Sequence, residues 1–134
     1  MSRDAVRRRA LAGLLLGAGA SHVARPQVYE AIVPPLLGSP RGWVLGSGVA
    51  ELAVGAGLLS PRPAARRRAA LAAAGLFVAV YPANLQMAYA AVRDRRSRTY
   101  VAATLVRLPM QVPLVLGAPA VARDVSSAGP SPAR

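Results

Sequence analysis

The chain has 134 residues, 54% hydrophobic and only 16% charged, yet its formal net charge is +12. It has no Cys and one His, which excludes disulfides, thiol redox chemistry, iron–sulfur clusters and a metal site made by His ligands alone, so a redox role needs an organic molecule or a partner protein. The basic residues are all Arg and mark the ends of apolar stretches, and only 4% of residues are aromatic, so charged flanks of membrane spans explain the charge better than nucleic-acid binding does.

The first apolar run, Ala10–Ala24, follows Arg7, Arg8 and Arg9 and ends at Arg25. A basic start, a short apolar core and Ala18 to Ala20 also fit a signal peptide, but three more apolar stretches follow, so a retained first helix is expected. Gly13 and Gly17 offer it a small-residue notch for close packing. Residues 25–41 hold Pro26, Pro34, Pro35 and Pro40 and cannot form one helix. Val28, Tyr29, Ile32 and Val33 fall at helical spacing between those prolines, which predicts an amphipathic turn or two at an interface.

The second stretch, residues 42–61, has Glu51 as its only charge. At roughly 1.5 Å per residue it reaches about 30 Å, the thickness of a bilayer's hydrocarbon core. An unpaired carboxylate near its middle costs at least about 2.5 kcal/mol, so Glu51 needs a partner or a proton. Residues 60–68 read as a basic connector. The third stretch lies within residues 69–92, where Pro82 cannot donate to the Val78 carbonyl and so interrupts the helix. Residues 93–98 form another basic connector, and the fourth stretch, within 99–122, holds Arg107, Pro109, Gln111 and Pro113. Residues 123–134 are polar and proline-bearing and are expected to be a disordered tail after a membrane domain covering 1–122.

The expected fold is therefore all-α, a four-helix transmembrane bundle with a proline-rich interfacial connector between helices 1 and 2. Four spans put both termini on one side, and with that side inside, ten arginines lie inside against six outside. This bias predicts cytoplasmic termini in a multi-pass protein of a bacterial-type cytoplasmic membrane.

Glu51, Asn84 and Arg107 each lie nine positions from the boundary facing connectors one and three, so all three reach about 13 Å below that surface. His22 is nearer the same surface and would roof them if the connector folds inward. Ser47 precedes Glu51 by a turn and Gln111 follows Arg107 by one. The candidate intramembrane polar cluster is thus His22, Ser47, Glu51, Asn84, Arg107 and Gln111. In its plainer form a Glu51–Arg107 ion pair clamps the bundle while Asn84 bonds free backbone such as the Val78 carbonyl. In its sharper form the layer is a pocket for a headgroup, quinone or proton, with Glu51 and His22 titrating. Tyr29, Trp43, Tyr89 and Tyr100 read as an interfacial aromatic belt.

His22 with Pro26 and Tyr29, Ile32–Pro35, Ser47–Leu52, Gly57–Pro61, Pro82–Asn84 with Met87, and Arg107–Gln111, in this order, resemble the DoxX-like family of small membrane proteins. The resemblance covers roughly residues 13 to 116 and rests on the combination of pieces. It implies a four-helix membrane bundle. Some relatives are subunits of a thiosulfate to quinone oxidoreductase and others associate with oxidative-stress enzymes, while most have no assigned activity.

Two functions are in competition. The chain is an accessory or scaffold subunit that docks a membrane-associated redox or stress-response partner through its arginine-rich connectors. Alternatively it is a quinone-binding oxidoreductase subunit in which Glu51 relays a proton. A transporter is disfavoured, because no pair of broken helices marks an internal repeat. No motif assigns a catalytic residue or a metal, and quinone is the one cofactor the alternative brings.

Overall fold

The structure is a computed structural model and describes residues 3–127. Its elements are α1 (Arg3–Ala24), α2 (Gln27–Glu30), a single 3-10 turn (Pro35–Leu37), α3 (Pro40–Leu59), α4 (Pro63–Ala79), α5 (Tyr81–Arg93) and α6 (Arg98–Ser127). No strand occurs among the described residues.

The boundaries follow local chemistry. Ser39 opens α3 by accepting from the Gly42 N–H at 3.3 Å, and Pro40 fills the first helical position, where its missing N–H costs nothing. Pro63 does the same for α4. That start carries Arg66, Arg67 and Arg68 inside the helix, so most of the stretch expected as a connector is helical. The break expected at Pro82 is present: α4 ends at Ala79, Val80 separates the two segments, and Pro82 occupies the first turn of α5. Helix α5 closes through Arg95, whose φ of 49° is the left-handed conformation that ends helices.

At its far end, α6 continues through Ser127, into the stretch expected as a tail. Residues 128–134 of that expected tail lie outside the described residues. Pro109, Pro113 and Pro119 all sit inside α6 without ending it.

Helix α1 packs on α3, α3 on α4, and α4 on α6, while a thinner contact between α6 and α1 closes a ring of four rods. Helix α5 prolongs the third rod and packs mainly on α6. A Cβ on Gly19 would lie 2.6 Å from the Gly48 carbonyl oxygen, and one on Gly55 would lie 3.2 Å from the Ala12 carbonyl oxygen. Two rods touching through these residues run antiparallel, with Ala12 level with Gly55 and Gly19 with Gly48. The notch on α1 is therefore Gly19, two turns from Ala12; Gly13 and Gly17 face open space. Glycines so placed let backbones approach to dispersion contact.

The core is small. Ala12, Leu15, Leu58, Ala70, Ala73 and Ala118 are its most buried members. Large apolar side chains such as Leu14, Val49, Val78, Val112 and Leu116 stand on the outside instead. A water-soluble bundle of this size would hide them. Three helical stretches, Pro40–Leu59, Pro63–Arg93 and Arg98–Arg123, are long and apolar enough to cross a membrane. Helix α1 falls short of that description because arginines occupy its first turns.

Candidate functional site

Side chains on a helix tilt toward its N-terminus, so Glu51 reaches back along α3 toward Gly48. Gly48 has no side chain there, and α1 closes onto the gap: a Cβ on Gly48 would lie 2.8 Å from the His22 Cβ. The result is a contact of 2.8 Å between His22 Nδ1 and Glu51 Oε2. Glu51 is 6% exposed. Neither contacting atom has an aligned hydrogen-bond partner among the described residues, so the contact is one of charge and proximity.

The connector covers this pair. Tyr29, on α2, meets the His22 ring edge-on with centroids 4.3 Å apart, and its hydroxyl lies 2.6 Å from Ser21 Oγ. Two further ties hold the connector to the start of α3: Trp43 Nε1 donates to the Leu37 carbonyl at 2.7 Å, and Arg41 stands 3.7 Å from Glu30. Tyr29, expected in an amphipathic turn and as a belt anchor, thus packs on His22, and the connector folds inward over α1, the condition under which His22 was expected to roof the polar layer. Tyr89 and Tyr100 do stand exposed, each with a neighbouring arginine over its ring, at 5.7 Å for Arg93 and 5.5 Å for Arg96.

Arg107 is not the partner of Glu51. It is exposed, and the buried stripe of α6 runs through Thr104, Gln111 and Ala118 at two-turn intervals, with Leu108 between the first two and Ala122 one turn beyond the last. Leu108 takes the inward position and turns Arg107 away, so the expected clamp is absent and His22 replaces it.

Asn84 and Gln111 form a second polar cluster. Asn84 Nδ2 donates to Gln111 Oε1 at 2.8 Å, and Gln111 Nε2 donates to the Phe77 carbonyl. Phe77 lies in the last turn of α4, where carbonyls lack helical partners, so an amide on α6 satisfies backbone exposed by the break at Val80. Sequence reasoning gave the freed carbonyl to Asn84 and chose Val78; the donor is Gln111 and the acceptor is one residue earlier. Ser47 bonds back to the Val44 carbonyl of its own helix at 3.0 Å and joins neither cluster. Thr104, 3% exposed and bonded to the Val101 carbonyl at 2.8 Å, is buried and had not been singled out; its place two turns before Gln111 was the available signal.

Outside the bundle, the break opens an apolar cleft of about 310 Å³, lined chiefly by Phe77, Val78, Tyr81, Pro82, Val112 and Leu116, with Gln111 reaching its edge. Among the described residues no group of three His, Asp or Glu side chains could hold a metal ion.

No curated protein and no solved structure matches the chain. Residues 11–122 match the family described as Domain of unknown function (DUF8561), a stretch that contains both polar clusters and most of each rod of the ring. The chain belongs to that family.

Proposed function

We propose that the chain is a four-span membrane protein with cytoplasmic termini and an interfacial proline-rich connector, serving as an accessory or scaffold subunit for a membrane-associated redox or stress-response partner. Helix α1 joins three helices of spanning length, and the arginines beyond its apolar part can snorkel to the surface. The DoxX-like resemblance supplies the redox association. The observation that carries the reading is where the polar groups point: Asn84, Gln111 and the Phe77 carbonyl satisfy one another, as do Ser21 and Tyr29, so they fasten one segment to the next. Photo-crosslinking through the exposed connectors in native membranes tests it. Recurrent capture of an oxidoreductase or stress enzyme is the expected result; capture of copies of the chain alone would overturn it.

A second reading has its own support in the contact between His22 and Glu51, two titratable groups 2.8 Å apart. In this reading Glu51 accepts a proton within the membrane and His22 passes it toward the surface under Tyr29. The quinone draws no support from the apolar cleft at the break, which is lined by neither His22 nor Glu51. Infrared difference spectra with a carboxyl band lost in Glu51→Gln would support proton handling, and a spectrum unchanged by that substitution would remove it. Organic extraction of gently purified protein followed by mass spectrometry decides the quinone: only bulk lipid in repeated preparations rejects it.

A further inference from the structure

Most of the arginines are a solvated rim, but Arg8 and Arg66 are placed otherwise. Arg8 extends the buried stripe of α1, preceding Leu11 and Ala12 by one turn, and Arg66 extends that of α4, preceding Ala69 and Ala70 in the same way. Both are partly buried, while Arg7, Arg67 and Arg68 are exposed. The Nε atoms of Arg8 and Arg66 are fully buried, and neither has a hydrogen-bond partner among the described residues. No acidic side chain among those residues pairs with either guanidinium.

Packing registers bring the two to one height. Ala12 against Gly55 sets Arg8 level with Leu59, and a Cβ on Gly57 would lie 2.8 Å from the Ala69 Cβ, which sets Arg66 level with Ser60. Helices α1 and α4 are diagonal members of the ring, since each packs on α3 and each touches α6. With neighbouring axes about 8–10 Å apart the diagonal is roughly 13 Å, a gap two inward-reaching arginines can close on a single anion. Beneath them lies only apolar core, including Leu58 and Ala70.

We propose that Arg8 and Arg66 form a site for one phosphate group at this mouth of the ring, and that the group belongs to an anionic phospholipid. A guanidinium presents a planar fork that matches phosphate oxygens, and two unpaired forks at the edge of an apolar core require an anion that arrives with its own apolar tail. The phospholipid source rests on the four-span membrane reading; the phosphate chemistry rests on the two arginines alone.

Native mass spectrometry of the full chain, released from vesicles of phosphatidylcholine with a minor share of phosphatidylglycerol, tests the proposal. The expected result is one retained phosphatidylglycerol, with retention reduced at least about tenfold in Arg8→Gln/Arg66→Gln and little changed in Arg67→Gln/Arg68→Gln, which removes the same charge from the rim. Arg8→Lys/Arg66→Lys keeps the charge without the fork and falls between, which guards against a Gln variant that misfolds. Equal loss in both Gln variants, or equal retention of phosphatidylcholine, overturns the site. Displacement by millimolar inorganic phosphate overturns the lipid source. Resistance of the protein to alkaline extraction from membranes is read separately: if it fails, the membrane reading fails, whatever the arginines bind.

Discussion

The contact of α1 with α3 and the contact of α5 with α6 each bury a polar pair, and they do so by opposite means. In the first, small residues bring backbones together and two titratable groups meet at 2.8 Å without hydrogen-bond alignment. In the second, a broken helix exposes a carbonyl, one neutral amide donates to it, and a second amide donates to the first. Neutral amides suit permanent fastening, because every donor and acceptor they bury can be matched. A carboxylate and an imidazole that meet without aligned bonds rest on proximity, so the first contact lacks the matching that the second has.

The largest disturbance of this contrast is steric. Gly19→Val drives a side chain into the Gly48 carbonyl, and thermal unfolding in detergent should register a loss of about 3 kcal/mol or more, whereas Gly13→Val, facing open space, should change little. Next, Asn84→Ala leaves the Gln111 carbonyl oxygen buried without its donor and should cost about 1–3 kcal/mol in the same assay. A double-mutant cycle between His22→Ala and Glu51→Gln should show coupling of about 1 kcal/mol, and the same cycle between Glu51 and Arg107 should show none beyond about 0.3 kcal/mol.

Two smaller effects mark the surface. Arg95→Gly relieves a left-handed residue and should stabilise by up to about 1 kcal/mol, seen as a raised melting temperature. The Arg93 guanidinium, hydrogen-bonded at 2.8 Å, holds the exposed Asp94 carboxyl below its usual range. A depressed carboxylate stabilises at pH above its unfolded value, about 3.9, and loses that contribution as pH falls toward the folded one. Asp94→Asn should therefore flatten the acid limb of the stability curve slightly, and an unchanged limb would discount the pair.

Position along a single stretch was legible in the sequence; level and facing between helices were not, since Asn84 meets Gln111 and not the Arg107 expected at its height. Counting along apolar stretches put Glu51 deep in an apolar layer and set Pro82 at a break, because both depend on distance along one segment. The partner of Glu51 depends on how two helices are rotated against each other, which single-segment spacing leaves open. Gln111 and Arg107 are one turn apart, yet only Gln111 lies on the buried stripe, since the two-turn repeat through Thr104 and Ala118 passes Arg107 by. Gly19 was missed for a similar reason: Gly13 and Gly17 have the familiar small-residue spacing, but Gly48 determines which glycine on α1 is pressed. The arginines of α4 read as a connector because charge hid a proline that starts a helix at its first position.

The interruption at Val80 divides the third rod into portions with different attachments. Helix α4 is wedged between α3 and α6, while α5 leans mainly on α6 and barely meets α4. The loop between Arg93 and Arg98 consequently joins two helices that pack on each other, while the glycine-lined seam that holds Glu51 lies between α1 and α3. The two portions of the third rod share α6 as a neighbour, and α4 also packs on α3.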